Sequence, residues 1–169
     1  MPERILVVDD DRATRDLLEA VLTDAGYEVT LVPGGPAALA AVATAPPALI
    51  LLDLRMPGMS GLEVCRALKR DPTTAPIPVL VVTAYGELDE KERTLRCGAD
   101  DVVTKPIDAA EMLPRVRALL TIRHLRQPLD RTLNYLAALE IEHTCPHPAP
   151  PARDARGAPP PGALFATGR

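Results

Sequence analysis

The stretch ALILLDLRMPGMSGLEVCRALKRD, residues 48–71, reads as one strand followed by one helix. Its first five residues form an unbroken aliphatic run, the pattern of a strand covered on both faces. Asp53 stands at the end of that run. Ser60-Gly61-Leu62-Glu63 then has the form of a capping box, in which serine and glutamate each satisfy the other's backbone N–H at a helix start. The helix so opened must stop before Pro72, because proline disfavours the helical conformation in the residue before it.

The same strand-then-helix unit recurs on both sides. RILVV (4–8), EVTLV (28–32), PVLVV (78–82) and DDVVT (100–104) are the other short apolar runs. After the first, Leu17, Leu18, Val21 and Leu22 share a helix face, and Gly26 follows as a C′ residue. The second helix starts at Pro36, suited to a first helical turn, and ends before Pro46. A weaker polar helix is expected over roughly 87–97, meeting Gly98. The fifth begins after Asp108, with Glu111 at the reciprocal capping position and Pro114 as an unexpected interior residue. Five such units in series predict an α/β fold, a (βα)5 doubly wound parallel sheet with right-handed crossovers.

Composition bounds the rest. The 169 residues suffice for one domain and an appendage, and at 47% hydrophobic and 25% charged they support a packed core. A net charge of −4 argues against general affinity for nucleic acid or anionic membranes. No apolar run approaches the ~18 residues of a membrane span, and MPERILVVDDD is charged where a secretory signal is apolar. A cytoplasmic chain is expected. Aromatic content of 2% speaks against a base-stacking surface. Cys65, Cys97 and Cys145 lack metal-ligand spacing; the first two fall in predicted helices and are read as reduced thiols.

Past residue 122 the text changes. Residues 123–143 are read as a helical extension, with a second helix beginning at Pro128 and ending near His143. Ile122, Leu125, Leu129, Leu136 and Leu139 are spaced as in a short coiled coil, so the 112–142 segment is a candidate for homodimerisation or for packing back on the domain. Arg123, His124, Arg126 and Arg131 form a small basic cluster, read as a solvated helix face. Residues 144–169 are rich in proline and alanine, and are expected to be disordered with extended polyproline segments. His143, Cys145 and His147 are weak metal candidates.

Parallel sheets of this kind present ligand chemistry at the carboxyl ends of their strands. Those ends carry Asp9-Asp10-Asp11, Asp53, Thr83 and Lys105-Pro106. Taken alone, an aspartate after a strand reads as a helix N-cap, which stays open for Asp11. Together, carboxylates at neighbouring tips repel by several kcal/mol at intermediate dielectric, and a hard divalent cation relieves the repulsion. Mg²⁺ fits, because it needs few protein oxygens and keeps water and phosphate in its other positions.

On VVDDD (7–11), LLDLRMPGMSG (51–61), VVTA (81–84) and GADDVVTKP (98–106), the chain resembles the receiver domain of bacterial two-component response regulators. The resemblance covers about residues 4–122 and implies a flavodoxin-like strand order, 2-1-3-4-5, in a receiver domain spanning 1–122. It also implies that Asp53 accepts a phosphoryl group from the phosphohistidine of a sensor kinase or phosphotransfer protein. Asp10 would bind Mg²⁺ directly and Asp9 largely through water, with Asp53 and the backbone carbonyl of Arg55 as further ligands. Lys105 would pair with Asp53 and then with the phosphoryl group, Thr83 would hydrogen-bond that group, and Pro106 would follow a cis peptide.

Val102 departs from the family, where many members carry Tyr or Phe three residues before the lysine. Arg55 and Tyr85 flank the phosphoryl site, either as plain rim residues or as a screen that sets the lifetime of the acyl phosphate. The implied function is a phosphorylation-dependent switch that signals by binding another protein. Beyond Mg²⁺-dependent self-phosphorylation and autodephosphorylation, no enzyme is implied: aspartyl-phosphate hydrolases resemble Asp-x-Asp, and here the second position is Arg55. A receiver-like scaffold that is never phosphorylated stays as an alternative, and a DNA-binding regulator stands behind it.

Overall fold

The computed structural model describes residues 1–84, 96–123 and 128–143, with side chains 132–140 in the last segment. In it β1 (Arg4–Val8), α1 (Arg12–Asp24), β2 (Glu28–Val32), α2 (Gly35–Thr44), β3 (Leu49–Asp53), α3 (Gly61–Arg70) and β4 (Val79–Ala84) follow in turn. β5 (Asp101–Lys105), α4 (Ala109–Ile122) and α5 (Pro128–His143) come after them. Every strand pairing is parallel, in the order β2-β1-β3-β4-β5. Most of the polar helix expected over 87–97 lies outside the described residues, as does the 144–169 tail.

Side chains alternate across a strand, so each central strand feeds two cores. Leu6, Val8, Ile50, Leu52, Val79 and Val81 face α2 and α3, packing with Ala38, Val42, Val64, Cys65 and Leu68. Ile5, Val7, Leu49, Leu51, Leu80 and Val82 face the other side, against Leu18 and Leu22 of α1 and Met112, Val116 and Leu119 of α4. β3 is buried at all five positions. Each of its aliphatic side chains contributes roughly 2 kcal/mol by leaving water. The middle of the sheet is therefore rigid, and whatever stands at its tips is held by it.

Local chemistry sets most helix ends. Ser60 Oγ accepts from the Glu63 N–H at 3.4 Å while Glu63 accepts from the Ser60 N–H at 2.8 Å, closing the capping box. Asp11 caps α1 through the Thr14 N–H at 2.9 Å, and Gly26 follows that helix at φ +90°. Asp108 caps α4 through the Ala110 N–H at 2.8 Å. Glu111 lies 3.5 Å from Arg115, one turn along. Pro114 sits inside α4 and has no N–H to offer the Ala110 carbonyl. Ala110 is exposed, so water can serve that carbonyl instead.

Several expectations need correction. β3 ends at Asp53 as expected, but β4 runs one residue past Thr83 and β5 takes in Lys105, because backbone pairing continues through Ala84↔Lys105. Leu17 is 49% exposed, and the buried stripe of α1 is Leu18 and Leu22, one turn apart. Cys97 lies in a turn, not a helix.

The stripe over 112–142 is not one seam. Ile122 belongs to the sheet's core, whereas Leu136 is 52% exposed on α5. The side chains of Leu125 and Leu129 lie outside the described residues. α5 packs back on α4, with Tyr135 half-buried against the second core and its hydroxyl donating to Asp101. Asp101 also accepts from Arg115 at 2.6 Å.

Candidate phosphoryl and metal site

Register places the candidate residues on one rim. Val8 pairs with Leu52 and Asp53 with Val82, so Asp9, Asp53 and Thr83 leave three adjacent strands together. Lys105 ends β5 opposite Ala84, and the Lys105–Pro106 peptide is cis. One carboxylate oxygen each from Asp9, Asp10 and Asp53 falls within a cluster 4.8 Å across. Asp9 and Asp53 are 2% and 5% exposed, whereas Asp10 is open to solvent.

Lys105 crosses from the far strand to face both buried carboxylates, 2.9 Å from Asp9 and 3.3 Å from Asp53. It is thus shared, and nearer Asp9 than the expected pairing with Asp53 alone. An ammonium has three donors, so serving two carboxylates costs it little geometry. Burial works to lower the Lys105 pKa, but its hydrogen bond to Asp9 and the charges of Asp53 and Asp9 outweigh burial and raise it. Asp53 shifts upward. Burial is the main cause, the Lys105 charge opposes it, and the charges of Asp9 and Asp10 reinforce it.

Two supports escaped the sequence reading. Arg15 of α1 donates to the carbonyls of Asp9 and Asp10 at 2.7 and 3.0 Å, which fixes the loop presenting the acidic pair. Gly61 lies against the Asp53 backbone: a Cβ there would stand 2.1 Å from the Asp53 carbonyl oxygen. That contact leaves room only for glycine at the start of α3. Its sequence signal was a glycine directly after the capping serine. Arg15 has no comparable signal, since its partners are backbone atoms.

Of the remaining candidates, Thr83 is buried at 3% beside the cluster and Arg55 is exposed on the loop after β3. Val102 is half-buried against the α2–α3 core. Tyr85, His124, Arg126, Cys145 and His147 lie outside the described residues, as do the side chains of Arg131 and His143. Arg123 pairs with Glu3 at 2.6 Å, at the domain's other end.

Three hard oxygen donors, more negative than Lys105 alone balances, suit Mg²⁺. Among the described residues no helix is long and apolar enough to cross a membrane.

A family model described as the response regulator receiver domain matches residues 5–117. The chain is 50% identical over 131 residues to Response regulator PleD of Caulobacter vibrioides, covering 75% of this chain and 29% of that protein. It is 48% identical over 117 residues to the DNA-binding dual master transcriptional regulator RpaA of Synechocystis sp., covering 69% of this chain and 48% of RpaA. It therefore spans less than half the length of either relative. Among solved structures, the signal receiver domain of a signal transduction histidine kinase from Syntrophus aciditrophicus superposes with a TM-score of 0.69 at 32% identity, covering 75% of this chain and 96% of that one.

Proposed function

The chain belongs to the response regulator receiver domain family, and on that premise we propose that it is a phosphorylation-dependent switch charged at Asp53 by a sensor histidine kinase or phosphotransfer protein. The observation that carries this reading is the uneven charge at the rim, where three carboxylates gather and Lys105 bridges two of them. A site meant only for stability would be expected to balance its charges.

In the proposed transfer an Asp53 carboxylate oxygen attacks the phosphorus. The O–P bond forms as the P–N bond breaks, and the donor imidazole departs. Asp10 would hold Mg²⁺ directly and Asp9 largely through water, with Asp53 and the Arg55 carbonyl completing the protein ligands. Both Asp9 oxygens already accept hydrogen bonds, from the Asp11 N–H at 2.8 Å and from Lys105 at 2.9 Å, which supports its indirect role. Bound there, the ion supplies neutralisation of the phosphoryl oxygens. Lys105 is near enough to turn from Asp53 to a phosphoryl oxygen, and the Thr83 hydroxyl would hydrogen-bond the group from the next strand.

The family is a signalling family and its members are not typical enzymes, so self-phosphorylation and autodephosphorylation are the only turnover proposed. The output is binding to a protein target. DNA binding is said of RpaA, of which this chain matches less than half, and the net charge of −4 gives it no support here.

Incubation with acetyl phosphate and Mg²⁺, read by intact mass, tests the proposal. One phosphoryl adduct is expected, lost in Asp53→Asn and in excess chelator. A folded protein that binds Mg²⁺ yet forms no adduct would move the reading to an unphosphorylated scaffold.

A further inference from the structure

Cys65 on α3 and Cys97 in the turn before β5 are 32 residues apart in sequence, and only the fold brings them together. The Cys65 thiol donates to the Cys97 carbonyl oxygen at 3.6 Å, so the Cys65 sulfur lies against the Cys97 backbone. Both lie in the α2–α3 core, away from the acidic rim. We propose that this pair is an oxidation site, closing to an intramolecular disulfide under a peroxide and reopening with a dithiol.

A second clamp keeps the two cysteines in register. Lys69 follows Cys65 by one helical turn, and Asp100 follows Cys97 by three residues. Their side chains pair at 2.9 Å, and Asp100 is itself held by the Val79 N–H at 2.8 Å. Gly98, at φ +93°, turns the chain against the Lys69 side chain. Both cysteines thus sit on backbones pinned on both sides, with the Cys65 sulfur already at the Cys97 main chain, which favours an intramolecular bond over one between molecules.

The two thiols also differ in a way that divides the labour. Its hydrogen bond with Cys65 holds the Cys97 thiol below the usual range, to about 6, against burial, with help from the Ala99 N–H and the charge of Arg66. The same bond, joined by burial, pushes Cys65 up. Cys97 is also the more accessible, at 6% exposure against 0%, between exposed Arg96 and Gly98, so an oxidant reaches its sulfur first.

The chemistry balances with hydrogen peroxide as oxidant. The Cys97 thiolate attacks one peroxide oxygen, the O–O bond breaks, and the leaving hydroxide takes up the displaced proton as water. Cys65 sulfur then attacks the Cys97 sulfenic sulfur, forming S–S and breaking S–O. The released hydroxide takes the Cys65 proton and leaves as a second water. Two thiols lose two electrons in all, and peroxide gains them.

The test uses the full-length, prereduced, folded protein. It is exposed to stoichiometric hydrogen peroxide, alkylated after denaturation and digested without reductant. We expect two of the three thiols to become unalkylatable and a linked peptide pair carrying Cys65 and Cys97, both reversed by dithiothreitol. Cys145→Ser should give the same link, and Cys97→Ser should lose it. Thiols that all remain alkylatable, a link through Cys145, or a Cys65–Cys97 link formed only in denaturant would each overturn the proposal and leave the pair as core packing. No outcome depends on phosphorylation of Asp53.

Discussion

At the carboxyl ends of β1 and β3, Asp9, Asp10 and Asp53 cluster and Lys105 bridges Asp9 and Asp53; at the opposite end of the sheet, Asp101 opens β5 facing Arg115 and the Tyr135 hydroxyl. Both clusters pair acids with a cation in partly buried surroundings. Among the partly buried groups of the second cluster one carboxylate meets one guanidinium and a neutral hydroxyl completes it, while Glu111 reaches the same arginine at 3.5 Å only from the exposed edge. Burial first, and then its hydrogen bond to Asp101, raises the Tyr135 pKa, which keeps that hydroxyl protonated as a donor. At the first, carboxylates outnumber the ammonium, and burial pushes Asp53 upward. Balanced charge makes a latch that holds α5 to the domain. Unbalanced charge leaves a place for something to bind. The difference lies in stoichiometry more than in residue type.

Breaking the unbalanced cluster should cost most. Lys105→Met leaves Asp9 and Asp53 facing each other without their shared cation, and is expected to destabilise the metal-free protein by about 3 kcal/mol. Urea unfolding in chelator measures the loss, and Mg²⁺ should recover part of it. A change below about 1 kcal/mol, the range of exposed pairs, would make the two clusters equivalent.

Tyr135→Phe probes the latch. Removing the hydroxyl donor from a charged acceptor should cost about 2 kcal/mol, felt locally. Amide exchange should quicken across the described part of α5 while β3 stays protected. Equal protection in both proteins would mean that packing against α4, and not the hydrogen bond, holds the helix.

The smallest effect sharpens the comparison through pH. A carboxyl raised by burial adds its full stability below its ordinary value of 3.8, and loses it as pH climbs through the raised folded value. Asp53→Asn removes that loss, so in chelator the variant should melt above wild type at pH 7. The gap should close as pH falls below 3.8. A variant less stable than wild type at pH 7 would show that attraction to Lys105 outweighs burial.

Much of the fold was legible because its signals are local. The Ser60–Glu63 box, the Asp11 and Asp108 caps and Gly26 at positive φ each involve residues within a few positions. The rim residues were legible too, since each follows an aliphatic run whose end can be read. Less visible was the last rung of the sheet, because pairing with a neighbour, not hydrophobicity, carries β4 to Ala84 and β5 to Lys105. Arg15, Gly61 and Tyr135 escaped for the same reason, as their partners lie on other elements.

The amino-acid sequence by itself determined the five strands, the caps that start the helices and the residue types standing at each strand tip. These follow from backbone preference and from the period of apolar residues, which act over a few positions. Tertiary structure alone decided that Lys105 is shared between Asp9 and Asp53, that Gly61 must lack a side chain, and that α5 folds back to lay Tyr135 on Asp101. It also decided that Cys65 meets Cys97. Each of these depends on distances between segments remote in the chain, which are set only when the sheet has closed on its helices.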